Sequence, residues 1–226
     1  MMHQGVYRIK GRISNVYLVM GERIILVDTG SPNDVRLIVS AVHAMGRTLS
    51  DIDLLVPTHA HIEHMGNARK IKQLTGARIV LPAYRIAPIK DLFRSTRFLI
   101  DNTWSIYAGI KNNPSLLLHP FMHIRPLKAD IIASDGMELP GHPGWTILFT
   151  PGHSPESICL YHRESQALIS GDTIISIGGK PVLPFGVLEQ DRMQQSLKRL
   201  QMLAITQLYP GHGDPLTGEN LIPAYP

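Results

Sequence analysis

Residues 58–66 read Thr58-His59-Ala60-His61-Ile62-Glu63-His64-Met65-Gly66, three imidazoles and a carboxylate within six consecutive positions. Just before them, Asp53–Val56 is a short apolar run and Pro57 ends it, so the histidines belong to a loop at the carboxyl end of a β-strand. Open α/β sheets bind their ligands at that edge. Neutral imidazole nitrogens and carboxylate oxygens are the donors that zinc, iron or manganese accept, and alternate residues of an extended loop converge on one ion. A polar surface loop would explain some of these residues. It does not explain their density.

Three further segments repeat the pattern: Thr150-Pro151-Gly152-His153-Ser154, Ser170-Gly171-Asp172-Thr173 and Tyr209-Pro210-Gly211-His212-Gly213. In each, a strand-like run ends in a turn and a glycine precedes one ligand-capable residue, letting the backbone bend sharply at a sheet edge. Singly, a Pro-Gly-His is an ordinary turn and a Gly-Asp an ordinary helix cap. Four such turns in one chain point to a shared site.

Outward from these turns the chain alternates strand and helix. Val16–Met20 and Arg23–Val27, separated by Gly21-Glu22, read as a hairpin whose second strand runs into Asp28-Thr29-Gly30. Ser31 is read as a helix N-cap with Pro32 at the first helical position. Val35, Ile38, Val39, Val42 and Met45 then recur at helical spacing up to Gly46. A second helix spans Asn67–Thr75 and ends at Gly76, and Ala77–Leu81 resumes as a strand. From Ala83 to His119 strand alternation gives way to basic and aromatic residues among aliphatics, read as an inserted helical cap. Strands are then predicted at Ile124–Leu127, Asp130–Ala133, Trp145–Thr150, Ser157–His162 and Ala167–Ser170. An amphipathic helix at Leu188–Ile205 follows, with Met193, Leu197, Leu200 and Leu203 on its apolar stripe.

The bulk numbers set bounds. The 226 residues suit one α/β domain, and 44% hydrophobic with 18% charged residues excludes a disordered or fibrous chain. The formal charge of +4 and sequence pI near 9.3 come from scattered Lys and Arg, so no nucleic-acid partner is expected. With Cys159 alone, an internal disulfide and a cysteine metal cluster are both excluded. Arg8, Lys10 and Arg12 interrupt the segment where a signal peptide would need an apolar stretch. With no apolar run of membrane-spanning length, a cytoplasmic protein without a membrane partner is expected.

With these motifs in order, the chain resembles the metallo-β-lactamase superfamily from Asp28 to His212. The resemblance implies an α/β fold, the four-layer αβ/βα metallo-β-lactamase sandwich, here with the helical insertion at 83–119. It implies that His59, His61 and His153 hold one metal ion. His64 and His212, with the acidic residue at 63, would hold a second, and Asp172 would bridge them; Asp28 would support the ligands from behind. Two divalent ions are implied, zinc first, with iron or manganese as alternatives. The implied reaction is hydrolysis of an ester, thioester, lactone or related bond in a small-molecule substrate by metal-activated hydroxide, with Glu63 and Asp172 as the catalytic carboxylates.

One position departs from the family pattern: Glu63 stands where aspartate is usual. Its carboxylate either ligates from a shifted backbone, swings out and weakens the second site, or acts mainly as a base. Two rival functions follow. One is iron-dependent redox chemistry on the same ligands, and the other is a metal-binding protein whose catalysis the glutamate has impaired. The chain ends fourteen residues after His212, which disfavours a glutathione-thioesterase relative with its C-terminal helical domain. Thr173-Ile174-Ile175 after Asp172 lacks the tyrosine usual in acyl-homoserine lactonases. Phe93, Phe98, Trp104 and Tyr107 of the cap are candidates for an apolar acyl pocket, with cap packing or a homodimer contact as the competing uses. His3, His43, His119, His123, His142 and His162 are read as surface or structurally satisfied residues, and Ser154 and Cys159 as non-nucleophilic.

Overall fold

The computed structural model describes residues 5–82 and 127–225. The chain divides into two compact units, one made of Met1–Ala83 with Ala129–Pro226 and the other of Tyr84–Lys128. The expected helical insertion, its four aromatic residues, the strand at Ile124–Leu127, His3, His119 and His123 lie wholly or mainly outside the described residues.

Six strands, β1 (Val6–Lys10), β2 (Asn15–Val19), β3 (Ile24–Val27), β4 (Ile52–Val56), β5 (Arg78–Pro82) and β6 (Ile131–Ala133), form one sheet in that order. β1, β2 and β3 pair antiparallel, and β3 through β6 pair in parallel. The predicted hairpin is present, with Leu18 opposite Leu26. A second sheet contains β7 (Trp145–Phe149), β8 (Ile158–His162), β9 (Ala167–Gly171), β12 (Gln207–Pro210) and β13 (Leu216–Thr217), in the spatial order β13-β12-β9-β8-β7. Between β9 and β12 the short strands β10 (Ile175–Ile177) and β11 (Lys180–Val182) pair with each other.

Residue alternation decides how the sheets stack. Ile25 and Val27 of β3, with Leu54 and Val56 of β4, share one apolar cluster with Ile147, Ile158, Leu160 and Ile169 of the second sheet. The intervening residues Cys159, Tyr161 and Leu168 face the other way and pack with Met193, Leu197 and Leu200 of a helix at Gln190–Gln201. On the first sheet, Ile24, Leu26, Leu55 and Ile79 alternate with the inner residues and are equally buried. They lie on the side where helix α3 (Ala68–Thr75) packs against β4 and β5. With both faces of each sheet covered, the strands read as nearly continuous apolar runs. The layers are helix, sheet, sheet, helix, as expected from the sequence.

The first and last helices and the first strand depart from the sequence reading. The first helix, α1, spans Val35–Ala44 and is capped by Asp34 instead of Ser31. Asn33 takes φ 96°, which no helix accommodates, and the Asp34 carboxylate turns back to accept the Ser31 N–H at 2.9 Å. The last helix, designated α4, covers Gln190–Gln201, shorter than the predicted 188–205 because its capping residue is Glu189 and Met202 ends it. β1 escaped prediction: its residues are only partly buried and alternate with Arg8 and Lys10, so it lacks an apolar run.

Leu54 is completely buried on a central strand. Leu54→Ala is expected to destabilise the protein by about 2–5 kcal/mol through lost transfer energy and a residual cavity. Urea unfolding of the two proteins measures this, and a difference below about 1 kcal/mol would show that the inter-sheet core is not close-packed there.

Candidate metal centre

Every candidate residue follows the carboxyl end of a strand. Asp28 follows β3, the histidine-rich segment follows β4, His153 follows β7, Asp172 follows β9 and His212 follows β12. Because β3 and β4 are parallel, and β9 and β12 are parallel, their carboxyl ends lie together within each sheet. The segment after β4 is more ordered than a loop. His61 is extended and caps a single helical turn, α2 (Ile62–Met65), that carries Glu63 and His64.

The side chains converge. Ligand atoms of His59, His61 and His153 lie within 4.8 Å of one another, as do those of His59, His64 and Asp172, and those of Glu63, His64 and His212. All seven candidate residues are included. His153 Nε2 is 3.2 Å from His61 Nδ1. Asp172 stands among four imidazoles, with Oδ2 at 3.2 Å from His212 Nε2, 3.7 Å from His153 Nε2 and 4.0 Å from His59 Nε2, and Oδ1 at 3.5 Å from His64 Nε2. The Glu63 carboxylate reaches the group of His64 and His212 despite its extra methylene, since α2 sets its backbone.

Four imidazoles are held from behind. His64 Nδ1 donates to Asp28 Oδ2 at 2.8 Å, His153 Nδ1 to the Gly186 carbonyl at 3.0 Å, and His212 Nδ1 to the Ile13 carbonyl at 3.1 Å. His59 Nδ1 lies 3.1 Å from Thr58 Oγ1. Each contact leaves Nε2 directed into the cluster. Asp28, at φ 60°, also accepts the Thr58 N–H at 2.7 Å and the Thr58 hydroxyl at 3.1 Å, so one carboxylate fixes both the start of the histidine segment and its last ring. The Ser14 hydroxyl donates to the Glu63 carbonyl, tying the β1–β2 turn to α2.

The inward atoms fit a bound cation. His59 Nε2, His64 Nε2 and Asp172 Oδ1 are buried without a hydrogen-bond partner among the described residues. A buried polar atom left unsatisfied is costly, and a metal ion would engage all three. The ring centroids of His59 lie 4.2 Å from His64 and 4.4 Å from His61, a crowding that charged imidazoles resist. The nitrogen and oxygen donor set suits zinc, manganese or iron.

Protonation divides the cluster in two. Burial lowers the pKa values of His59 and His61 and pushes His153 down to about 4, so these rings are neutral and able to ligate at pH 7. Burial also opposes charge on His64 and His212, but Asp172 outweighs it at both, with Asp28 adding to the effect at His64, and their pKa values rise. Burial acts to raise Asp172 and Glu63, yet neighbouring imidazoles prevail. His212 and His64 hold Asp172 well below the usual carboxylate range, and His61 and His64 lower Glu63.

Other candidates take ordinary places. Burial pushes the Cys159 thiol up to about 11, and Ser154 Oγ meets Ser157 Oγ at 2.8 Å, so neither is prepared as a nucleophile. His43, His142 and His162 join none of the metal-ligating groups. The sequence reading missed Ile13 and Gly186, which hold ligands through backbone carbonyls and leave no signature in residue type, and Ser14 and Thr58, which act through hydroxyls that ordinary turn residues also carry.

The model of the Metallo-beta-lactamase superfamily matches residues 9–212. The chain belongs to this superfamily. A probable metallo-hydrolase of Methanocaldococcus jannaschii is 30% identical over 209 residues, covering 90% of this chain and 89% of that protein. A hydroxyacylglutathione hydrolase of Ectopseudomonas mendocina is 31% identical over 183 residues, covering 80% of this chain and 54% of the enzyme. Among solved structures, one of a di-iron-bound form matches with a TM-score of 0.63 and 23% identity over 94% of each chain, a likeness of fold.

Its hydrogen bond to His64 gives Asp28 a measurable role. Asp28→Ala should leave His64 unanchored and weaken zinc binding by about 10–100-fold, the usual cost of removing an outer-shell partner. Titration against a chromophoric chelator reads the change, and an unaltered affinity would show that packing alone orients His64.

Proposed function

We propose that this protein is a metal-dependent hydrolase acting on an ester, thioester, lactone or related acyl bond of a small molecule. The observation that carries the reading is the convergence of ligand atoms from seven side chains, among which His59 Nε2, His64 Nε2 and Asp172 Oδ1 are buried without a hydrogen-bond partner among the described residues. We assign His59, His61 and His153 to one divalent ion, and Glu63, His64 and His212 to a second, with Asp172 facing both. Zinc is the first choice. When bound, such ions act as Lewis acids and make water acidic enough to serve as a nucleophile at neutral pH.

The chain's own groups supply the rest. Asp28 and the carbonyls of Ile13 and Gly186 hold their imidazoles in the tautomer that leaves Nε2 free to ligate. Glu63 and Asp172 are both biased toward the ionised form, which suits them to accept a proton from water. Burial of His59, His64 and Asp172 keeps bulk water from the rear of the site and strengthens each electrostatic contact. No covalent intermediate is required, consistent with the inert Ser154 and Cys159.

The names of the Methanocaldococcus jannaschii and Ectopseudomonas mendocina relatives, a probable metallo-hydrolase and a hydroxyacylglutathione hydrolase, support hydrolysis. The di-iron form of the structural neighbour motivates a second reading, iron-dependent redox chemistry on the same donors. Metal analysis with oxygen-uptake assays separates the two. Among the described residues no helix is long and apolar enough to cross a membrane. We place the protein in the cytoplasm with a small-molecule substrate and no nucleic-acid partner; a homodimer through the insertion is a further proposal.

Assayed against ester, thioester and lactone panels, zinc- or manganese-loaded protein is expected to turn over at least one class. His61→Ala and Asp172→Ala are each expected to lower kcat/KM by at least about 100-fold, in line with the loss of electrostatic stabilisation at a reacting centre. Unchanged turnover in both variants would remove the basis of the assignment.

Metal retention should depend on pH in a defined order. His64 and His212, with raised pKa values, hold protons that a cation must displace, so affinity there rises with pH. His59, His61 and His153, with lowered values, stay neutral in mild acid. As pH is lowered, zinc content after equilibrium dialysis is expected to drop from two ions to one before any further loss. Simultaneous loss of both ions would contradict this order.

A further inference from the structure

The two groups of candidate ligands are supported by different parts of the fold. Glu63 and His212 follow strands of different sheets, and the turn between β1 and β2 bonds to both. The Ser14 hydroxyl donates to the Glu63 carbonyl, and His212 Nδ1 donates to the Ile13 carbonyl at 3.1 Å. Asn15 continues the grip on the His212 turn. Its N–H reaches the Gly211 carbonyl at 2.7 Å, and its side-chain amide donates to the carbonyls of Pro210 at 2.9 Å and Gly213 at 2.7 Å.

Asp34 fastens this turn in place. Its Oδ2 accepts the Arg12 N–H at 3.4 Å and the Ser31 N–H at 2.9 Å, so one carboxylate joins the β1–β2 turn to the segment running from Asp28 into α1. In that segment the Thr29 N–H reaches the His64 carbonyl at 2.6 Å. The carboxylate is closely packed: a β-carbon on Gly11 would lie 2.9 Å from Oδ2, and one on Gly30 2.7 Å from it. Asp34 is 1% exposed, its Oδ1 has no hydrogen-bond partner among the described residues, and Arg12 Nε stands 3.9 Å away. Burying a carboxylate so incompletely satisfied costs stability that an apolar residue would retain. What an apolar residue would lack is an acceptor that two backbone segments share.

A second carboxylate plays the same part for the other group. Glu156 Oε1 accepts the N–H of Ala60, the residue between His59 and His61, at 3.2 Å. Glu156 belongs to the turn that carries His153, where the Ser154 and Ser157 hydroxyls meet at 2.8 Å. It therefore joins the His59–His61 segment after β4 to the His153 turn after β7, again across the two sheets.

Resting on the two-ion reading above, we infer that Asp34 and Glu156 are positioning residues for different metal positions. Asp34 sets the placement of Glu63, His64 and His212, and Glu156 sets that of His59, His61 and His153. The affinities of the two ions are then adjustable one at a time, from residues that touch neither ion.

The test is stepwise zinc titration of metal-free, full-length protein against a chromophoric chelator. Asp34→Ala should weaken one zinc step by about tenfold, the lower end of the usual cost of removing an outer partner of a metal ligand, and leave the other step unchanged. Glu156→Ala should do the reverse. Ser14→Ala cuts the path from Asp34 at its Glu63 end and should reproduce the Asp34→Ala pattern, which decides the matter if loss of the α1 cap unfolds that variant. Asp34→Asn and Glu156→Gln keep an acceptor oxygen and should restore most of the lost affinity. Imidazole nitrogen NMR of the metal-free proteins reads the same division without zinc. The His212 resonances should move in Asp34→Ala, and those of His59 and His61 in Glu156→Ala, each variant leaving the other's rings in place. Equal weakening of both steps by either alanine variant, or no change in either step, overturns the positioning roles. Fewer than two ions bound by the wild-type protein, alongside the stated division of the imidazole shifts, overturns the two-ion reading and leaves the positioning roles standing; the same shortfall without that division overturns both.

Discussion

One carboxylate organises the candidate centre. Asp28 takes two hydrogen bonds from Thr58 and one from His64, so it fixes both ends of the histidine-rich segment at once. Its backbone sits in the left-handed region at the end of β3, a conformation uncommon for a residue with a β-carbon, and aspartate tolerates it better than most. The surrounding ladder holds it there: its N–H reaches the Val56 carbonyl at 3.1 Å, and the next N–H, from Thr29, reaches the His64 carbonyl at 2.6 Å. Local backbone cost and precise placement of a ring are linked through that one position.

The sandwich explains why such placement is achievable. Alternating apolar residues lock the register of every central strand, since a slip of one residue would exchange its two buried faces. With register fixed, turns at the carboxyl ends of β3, β4, β7, β9 and β12 have little freedom in where they deliver their side chains. Rigid strands thus convert five separated pieces of sequence into one cluster with interatomic spacings of a few ångströms.

Much of this was legible in the sequence. His59, His61, Glu63, His64, His153, Asp172 and His212 could be singled out because metal chemistry requires particular residue types and each follows a turn signal. The helices α1 and α3 and strands β2 to β5 announced themselves through periodicity and terminating glycines. What stayed hidden depended on the backbone or on tertiary position. β1 lacks an apolar run because much of it remains partly exposed, Asp34 displaced Ser31 as a cap because Asn33 breaks the local helix, and Gly186 and Ile13 act through carbonyls that every residue possesses. The reach of Glu63 belongs with these, since whether its longer side chain met the cluster depended on the single turn of α2 beneath it.

The β10–β11 segment, held where the Ser176 N–H meets the His212 carbonyl and where His153 Nδ1 meets the Gly186 carbonyl, also constrains how this protein can change. Its backbone holds the His153 ring and the His212 main chain, and Leu183 packs against the core while Ile177 and Phe185 are exposed, so insertions or deletions between those anchors would shift ligand placement along with surface shape. Replacement of the exposed side chains Ile177, Lys180 and Phe185 would not. Diversification of what the enzyme accepts is therefore channelled into point substitutions on a loop of fixed length, and laboratory evolution should find viable variants there by exchanging residues rather than resizing the loop.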